Sequence, residues 1–475
     1  MRPSRVRATI AAMEDPASEA RVHAHGAAQD PEHMRRLADR IVARLRGAGY
    51  QALLAGGCVR DRLLDTPSTD YDVATSAPAA EVQRLFPRTV PIGVQFGVVL
   101  VLEDGVPFEV ATFRSDGAYL DHRRPVEVHF ADAHADALRR DFTINGLFLD
   151  PVTNEIIDYV GGRDDLRDRI IRAIGDPRAR FGEDRLRLLR AVRFAARLGF
   201  TIEPGTLAAV KELASTVTEI AWERIGDEIV KILTEGAARR GFALLEETGL
   251  LAAVLPEVAA MRGVAQSPDY HPEGDVLTHT LLCLAKLDLR RRGEVLALAT
   301  LLHDVGKPGS AELRADGRIT FYGHCERGAE MARAICARLR RSRETGERVA
   351  WLVKNHLRHV QAPMMRLATL KRFLAEPHID ELLELVRIDA SSSSGDLTAY
   401  EFCRARQREL GTSETRPEPL LRGRDLVELG YRPGPRFREI LERAFDAQLE
   451  GDIASPESAR AWALANFPPL PVAAR

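Results

Sequence analysis

Residues 56–64 read GGCVRDRLL, and residues 70–77 read DYDVATSA. The first segment follows the apolar run QALLA, and a glycine pair at that position indicates a tight turn from a strand into a helix. The second segment reads as another strand, in which alternate side chains share one face. We therefore expect Asp70 and Asp72 to project together, with Cα atoms roughly 6 to 7 Å apart, so that their carboxylates can share divalent metal ions.

The glycine turn adds a feature that favours anions. Backbone N–H groups at the start of a helix can donate to a triphosphate, and Gly57 stands at that position. Arg60 follows one turn later and adds a positive charge. Two carboxylates beside such a turn indicate nucleotidyl or phosphoryl transfer, which two Mg²⁺ ions assist.

The neighbouring segments predict a small mixed sheet. The runs 97–103 (GVVLVLE) and 106–114 (VPFEVATFR) are joined by Asp104-Gly105, a strong hairpin signal. A second hairpin is predicted over 142–160, with its turn at Asp150-Pro151. A helix precedes the glycine turn, and beyond about residue 165 strand signals give way to amphipathic helices. The predicted fold is an α+β head, a small mixed sheet with helices, followed by an all-α neck, an all-α second domain and an all-α tail.

Composition changes divide the 475 residues into five predicted segments. They are a flexible extension (1–33), an α+β head (34–165), a helical neck (166–262), a second helical domain (263–395) and a helical tail (396–475). The borders rest on the runs 267–275 (SPDYHPEGD) and 391–396 (SSSSGD).

Bulk properties exclude several classes of protein. The formal net charge of -2 argues against a globally basic nucleic-acid coat, so any RNA contact must come from a local basic patch. Five cysteines without a CxxC pair favour free thiols and a reducing compartment. No apolar run approaches the roughly 18 residues of a membrane span. We expect a cytoplasmic protein without a membrane partner, and we leave its oligomeric state open.

A helix predicted over 183–199 (EDRLRLLRAVRFAARLG) carries a second arrangement of polar residues. Asp184 and Arg187 are three residues apart, so they are expected to share a helix face and to form a paired acceptor and donor edge. Such an edge can accept from the amine of cytosine or adenine and donate to ring acceptors. Arg190 and Arg193 continue the face and would reach phosphates.

Taken in order, GGCVRDRLL, DYDVATSA, RRDFTIN (139–145) and GEDRLRLLRAVRF (182–194) resemble the class II tRNA nucleotidyltransferase and bacterial poly(A) polymerase family. The resemblance extends over about 35–235, because WERIGDEIVKIL (222–233) is similar to the family's neck helix. It implies Mg²⁺ at the nucleotidyltransferase site, tRNA as partner, and CTP and ATP as substrates.

The resemblance also implies roles for individual residues. Asp70 and Asp72 would be the Mg²⁺ ligands, with Glu109 of the strand FEVATFR as a weaker candidate for a third catalytic carboxylate. Gly57 and Arg60 would lie at the triphosphate, and Arg140 would contact the incoming nucleotide, supported by Asp141 and Asn145. The remaining nucleotide-binding residues would be Asp184, Arg187, Arg190 and Arg193.

Histidines and aspartates in the second half form another pattern, in which neutral imidazoles and carboxylates suit a divalent transition metal or Mg²⁺. Residues 272–392 resemble the HD phosphohydrolase superfamily through HTLLCL, TLLHDVGKP, YGHCERGAEMA and KNHL. Lys307 fits a phosphate contact and a helix-end cation equally well. The hypothesis is an auxiliary metal-dependent phosphohydrolase for 2′,3′-cyclic phosphate or 3′-phosphate RNA ends; the alternative is a structural domain. The candidate ligands are His279, His303, Asp304, His324, His356 and Asp389.

Three classes of function compete: a transferase with an auxiliary HD domain, an HD hydrolase with a non-catalytic RNA-binding head, and a non-catalytic RNA-binding protein. The presence of Asp70, Asp72 and Arg187 favours the first. Within it, addition of CCA competes with A-only addition and with poly(A) tailing. By the resemblance, the family's CC-adding members are shortened in the loop that follows the strand FEVATFR. Here that loop, 114–130 with Arg123-Arg124-Pro125, looks full length, which favours terminal A addition. The tail is mixed in charge rather than strongly basic, which argues against poly(A) tailing.

Overall fold

The computed structural model describes residues 30–116, 128–268, 271–287, 293–415 and 417–468. The chain divides into two compact units. The first comprises Met1–Ile225 and Glu247–Ala253, and the second comprises Gly226–Glu246 and Val254–Arg475. The predicted border between head and neck at 165/166 therefore falls inside the first unit, and the five segment limits remain predictions.

A seven-stranded sheet forms the centre of the first unit, with the strand order β3-β4-β5-β2-β1-β8-β9. β2 runs parallel to β5, and the other neighbouring strands are antiparallel. The mixed sheet and both hairpins are thus as predicted. The strands are β1 (Ala52–Ala55), β2 (Asp72–Thr75), β3 (Thr89–Gly93), β4 (Val98–Glu103), β5 (Val106–Thr112), β8 (Leu147–Leu149) and β9 (Ile156–Asp158), and a separate pair is β6 (Arg114–Asp116) with β7 (Val128–Phe130).

Turn chemistry accounts for the two hairpins. Asp104 and Gly105 both have left-handed φ values, 51° and 81°, which suit the twist of a tight β4–β5 connection. Asp150 accepts hydrogen bonds from the N–H groups of Val152 and Thr153, and this stabilises the β8–β9 turn. The loop residues Arg123-Arg124-Pro125 lie outside the described residues.

The first helix begins earlier than predicted, because Asp30 accepts a hydrogen bond from Glu32 N and Pro31 occupies the first turn. Residues 31–33 are therefore helical rather than part of an extension. The α-helices up to the neck are Pro31–Gly47, Gly57–Leu63, Ala79–Leu85, Ala133–Leu138, Gly162–Asp168, Pro177–Glu183, Leu186–Leu198, Pro204–Leu213 and Trp222–Thr234.

Helices dominate the rest of the chain, as predicted. The loss of strands after residue 165 is not complete, since β10 (Ile170–Ile171) pairs with β11 (Thr201–Ile202), and β12 (Glu312–Leu313) with β13 (Ile319–Thr320). Two-residue strands are too short to leave a periodic signal. The further α-helices are Ala238–Glu247, Leu250–Val254, Pro256–Ala259, Val276–Ala285, Glu294–Leu302, His324–Arg338, Arg343–Asn355, Leu367–Leu374, Ile379–Ser392, Thr398–Thr415, Gly423–Glu428, Pro435–Glu450 and Pro456–Asn466.

A close backbone approach at Gly306 yields a stability prediction. A Cβ atom there would lie 2.2 Å from the His324 carbonyl oxygen and 2.8 Å from Gly328 N, so backbone would have to move. Gly306→Ala should lower the thermal unfolding midpoint of the protein by several degrees, as overpacking typically costs about 1 to 3 kcal/mol. Gly423→Ala is the control, since no atom lies within 4 Å of a Cβ there. Equal midpoints for the two variants would contradict the expectation.

Candidate active site and candidate metal centre

The sheet places two carboxylates on neighbouring strands. Asp72 opens β2 opposite Ala55 of β1, and β2 pairs in parallel with β5 so that Val73 lies beside Val110. Asp72 and Glu109 each come one residue before this first pair of the register, and both side chains are partly exposed. Glu109 therefore lies on the strand next to that of Asp72, and its role as a third carboxylate stays a prediction.

Asp70 is not in the strand, contrary to expectation. β1 ends at Ala55, the partner of Asp72, so residues before Asp72 have no β1 partner. Asp70 is exposed, and its carbonyl oxygen accepts a hydrogen bond of 3.1 Å from Ser68 Oγ. The two aspartates are close in sequence, but only Asp72 is fixed by the sheet.

The turn at Gly56 brings the backbone against charged groups. Gly56 has φ +71°, and a Cβ atom there would lie 3.1 Å from Arg140 Nη1 and 3.9 Å from Asp72 Oδ2. Only glycine adopts this conformation readily in so little space. Gly57 then begins the short helix that carries Arg60.

Arg60 has internal partners. Its side chain is buried, donates to Asn145 Oδ1 at 2.7 Å, and donates twice to Asp61 Oδ1 at 2.6 and 2.8 Å. The guanidinium therefore ties the glycine-turn helix to the RRDFTIN segment, and its charge is balanced by Asp61. Contact with a triphosphate stays a prediction.

Arg140 lies against the glycine turn, as Asp72 does. Its guanidinium donates to the Asn145 carbonyl at 3.2 Å and to Asp136 Oδ2 at 3.0 and 3.2 Å, and it packs over the Phe148 ring. Burial raises the pKa of Asp136, but Arg139 and Arg140 outweigh it, so the pKa lies below its usual value. Arg140 is thus a positioned cation next to Gly56.

The buried Asp141 forms an ion pair with the half-buried Arg190. Arg190 Nε and Nη2 donate to Asp141 Oδ2 at 2.8 and 2.7 Å, and Asn145 Nδ2 donates to the other carboxylate oxygen at 3.0 Å. Burial raises the pKa of Asp141, yet Arg190 and Asn145 lower it to about 2. Arg190 and Arg193 both lie over the Phe194 ring, at 5.1 and 4.4 Å. The expected phosphate contacts of these arginines stay predictions, and Arg190 has a structural partner.

Asp184 and Arg187 do not share a helix, so that expectation is wrong. Asp184 has extended angles (φ -139°, ψ 106°) between two helices, where its Oδ1 accepts from Leu186 N at 3.0 Å. This bond to the start of the next helix requires the extended backbone at Asp184, which interrupts the helical path. Its oxygens also accept from Arg224 Nη1 and Nη2 at 3.2 and 2.8 Å.

Arg187 has other partners, namely Glu183 Oε2 at 2.6 Å and the carbonyl oxygens of Arg180 and Arg139. The partner of Asp184 is thus Arg224, which sequence reasoning missed although it lies in the quoted segment WERIGDEIVKIL. The carboxylate of Asp184 and the guanidinium of Arg187 are therefore held in place by different partners.

The second unit brings the six predicted HD residues together. His279 Nε2 lies 3.3 Å from His303 Nε2 and 3.1 Å from Asp389 Oδ1. Asp304 carboxylate oxygens lie 3.3 Å from His303 Nε2, 3.7 Å from His324 Nε2 and 3.8 Å from His356 Nε2. As predicted, His279 lies on a helix, and His303 and Asp304 follow the end of another.

Backbone carbonyls fix the imidazole tautomers. The Nδ1 atoms of His303, His324 and His356 lie 2.9, 2.7 and 2.6 Å from the carbonyl oxygens of Thr300, Phe321 and Val353. A carbonyl can only accept, so each Nδ1 carries a proton and Nε2 is the ring nitrogen left to bind a cation at the centre. Lone pairs and carboxylates that face one another this closely fit a bound cation.

Three residues beside this centre, Gln266, His271 and Glu273, were missed by sequence reasoning. Glu273 Oε1 lies 2.6 Å from His279 Nδ1 and 2.9 Å from His271 Nδ1, so it orients His279. Gln266 Oε1 accepts from Lys307 Nζ at 2.7 Å, and Lys307 also pairs with Asp304 at 2.7 Å. His271 and Glu273 lie in the run 267–275, which sequence reasoning treated only as a domain border, and Gln266 directly precedes that run, so nothing in the sequence marked their contacts.

The buried charges shift the pKa values of two of the imidazoles, His303 and His356, in opposite directions. Burial lowers the pKa of His303, but Asp304 and Asp389 outweigh it and raise the value to about 9. Burial and the neighbouring His303 lower the pKa of His356 to about 3. A cation bound here would therefore have to displace the proton of His303.

Three family patterns match the chain in sequence. They are the poly A polymerase head domain over residues 52–172, the "probable RNA and SrmB-binding site of polymerase A" over 199–262, and the HD domain over 276–392. Their order defines a class of nucleotidyltransferases in which the polymerase head precedes an HD domain.

Relatives narrow this class. The A-adding tRNA nucleotidyltransferase of Deinococcus radiodurans is 35% identical, over 86% of this chain and 94% of its own length. The CCA-adding enzyme of Limosilactobacillus fermentum is 46% identical, over 44% of this chain and 52% of its own length. The chain belongs to the tRNA nucleotidyltransferase and poly(A) polymerase family, although its match spans only about half the length of such CCA-adding relatives.

A solved structure supports the same fold. The Bacillus stearothermophilus CCA-adding enzyme in complex with CTP matches with a TM-score of 0.69 and 28% identity, over 91% of this chain and 97% of that one. Within the described residues, no helix has the length and apolar character needed to cross a membrane.

Proposed function

We propose that this chain adds C, C and A from CTP and ATP to the 3′ end of tRNA. The observation that carries the proposal is that Asp72 lies next to the glycine turn and Arg140, at the start of a strand that pairs with the strand of Glu109. The relatives named CCA-adding enzymes, one of them with CTP bound, support the choice of substrates.

In this proposal Asp70, Asp72 and Glu109 would hold Mg²⁺. Bound Mg²⁺ would activate the 3′ hydroxyl and stabilise the departing pyrophosphate. The chain's own part is positioning: Arg140 supplies a fixed positive charge beside Gly56, and Asp141 with Asn145 holds the segment that carries Arg140. Such preorganised charges are the main protein contribution to nucleotidyl transfer.

Nucleotide choice would fall to Asp184 and Arg187. The carboxylate of Asp184 is held in place by Arg224, and a held carboxylate can accept from the amine of cytosine or adenine. Arg187 would donate to the ring acceptors of the base. Guanine and uracil present the wrong pattern to this pair.

The alternative within the family is addition of the terminal A alone. The A-adding relative matches along most of both chains, whereas the CCA-adding relative matches over about half of each. Poly(A) tailing is the third option. These activities differ in what they do to a tRNA that lacks its whole 3′ end.

A second function is proposed for the HD centre, on the observation that four Nε2 atoms face two carboxylates. His279, His303, Asp304 and Asp389 would hold a divalent transition metal, with His324 and His356 at its other side. Such an ion would supply a hydroxide that attacks a phosphate ester. RNA ends with a 2′,3′-cyclic phosphate or a 3′ phosphate are the expected substrates.

The first test uses tRNA transcripts that end at the discriminator base, in C and in CC. With Mg²⁺, CTP and ATP, the protein should restore CCA on all three, and Asp72→Ala should reduce the rate by on the order of 10² to 10³-fold or more while tRNA affinity stays within about twofold. Asp164→Ala, which removes an exposed carboxylate, is the matched control.

The other outcomes point to other readings. Addition of A only to the tRNA that ends in CC would establish the A-adding alternative, and long A tails would indicate a poly(A) polymerase. A loss of tRNA binding in Asp72→Ala as large as the loss of rate would contradict the proposed role of Asp72.

A second prediction concerns Asp184. Asp184→Ala should relax the preference for CTP and ATP over GTP and UTP about tenfold or more, and Arg224→Met should do so to a smaller extent, because the carboxylate loses its fixed position. Arg178→Met removes an exposed arginine that pairs with Glu212 and is the control. Unchanged nucleotide preference in both Asp184→Ala and Arg224→Met would exclude this selection mechanism.

A third prediction concerns the HD centre. The protein loaded with Mn²⁺, Ni²⁺ or Co²⁺ should hydrolyse a nucleoside 2′,3′-cyclic phosphate, and His303→Ala should abolish hydrolysis and bound metal while nucleotide addition continues. Metal content by plasma mass spectrometry and product by chromatography are the measurements. Absence of both bound metal and hydrolysis in the unaltered protein would make the HD domain structural.

A further inference from the structure

Gln266 carries an unused hydrogen-bond donor beside the HD centre. Its side chain is 94% buried, with 6% relative exposure, and its Oε1 accepts from Lys307 Nζ at 2.7 Å. An ammonium group can only donate, so this contact fixes which amide atom is oxygen. The remaining atom, Nε2, is buried and has no hydrogen-bond partner among the described residues.

The position of this amide suggests what it donates to. Lys307 Nζ connects Gln266 to Asp304 Oδ2, 2.7 Å away on its other side, and the Asp304 carboxylate lies next to three imidazoles. Two of the three ammonium protons are thus accounted for. Lys307 Nζ also lies over the Phe321 ring, 5.3 Å from its centroid, and the Gln266 Nε2 donor stands next to this ammonium group at the edge of the metal centre.

A buried hydrogen-bond donor without an acceptor lowers the stability of the folded protein unless a ligand supplies the acceptor. The ligand must be an acceptor and must suit a centre with positive charge, which describes a phosphoryl oxygen. We propose that Gln266 Nε2 and Lys307 Nζ bind a non-bridging oxygen of a phosphate group held at the HD centre. The inference rests on the proposed hydrolase function and assigns its phosphate-binding residues; Gln266 lies before the HD match, which begins at residue 276.

A purely structural role for Gln266 makes a different prediction. If Gln266 only holds Lys307, its oxygen matters and its nitrogen does not. Gln266→Glu keeps an acceptor for Lys307 and removes the donor, whereas Gln266→Met removes both without adding charge. The two variants together separate loss of the donor from added negative charge.

The experiment measures binding of inorganic phosphate to the Mn²⁺-loaded full chain by calorimetry. His303→Ala defines any phosphate bound elsewhere, and Gln361→Met, at an exposed glutamine of the same unit, is the matched control. We expect both Gln266 variants to weaken phosphate binding about tenfold or more with unchanged metal content, and the control to bind as the unaltered protein does.

Unchanged phosphate affinity in both variants, or loss of metal together with phosphate, would overturn the inference. Weakened binding only in Gln266→Met would also overturn it, because the oxygen rather than the nitrogen would then matter. If the unaltered protein binds phosphate through Gln266 but cleaves no phosphate ester with any metal, the hydrolase proposal fails while the phosphate site stands.

Discussion

The left-handed backbone at Gly56 is the constraint on which the arrangement of the head depends. It ends β1 at Ala55, so that Asp72 becomes the first residue of β2 with a partner, and it lets the chain pass between Arg140 and Asp72. A side chain at Gly56 would push these charges apart. The proposed metal ligands and the proposed nucleotide contact therefore share one backbone geometry.

The HD centre depends on a different constraint, the direction of imidazole protons. Three Nδ1 atoms donate to carbonyls one turn earlier in the chain, and Glu273 fixes a fourth imidazole. The carbonyls of Thr300 and Val353 are available because they lie in the last turns of helices, whose final carbonyls have no partner in the helix. These two helix ends thus position His303 and His356 and also determine their tautomers.

The sequence allowed the mixed sheet, both hairpins and the convergence of the six HD residues to be predicted, because alternation, turn residues and motif order are local signals. It did not reveal the break at Asp184, since the apolar pattern of the helix continues across it and only the hydrogen bond from Leu186 N to Asp184 requires the break. It also did not reveal that Arg60 points inward, because burial depends on Asn145, 85 residues later in the chain. Gln266 and Glu273 carry no periodic signal, so only the folded unit identifies them.

The chain of contacts from Arg60 through Asn145 and Asp141 to Arg190 joins three sequence segments that are far apart along the polypeptide. Each of the four side chains is buried or partly buried. Arg60 donates a hydrogen bond to Asn145, Asn145 donates to Asp141, and Arg190 donates to Asp141 and balances its charge. Residues coupled in this way do not have additive effects when they are replaced. Evolutionary change at these four positions is therefore expected to be epistatic, so that a substitution at one is tolerated only when its neighbours in the network change with it.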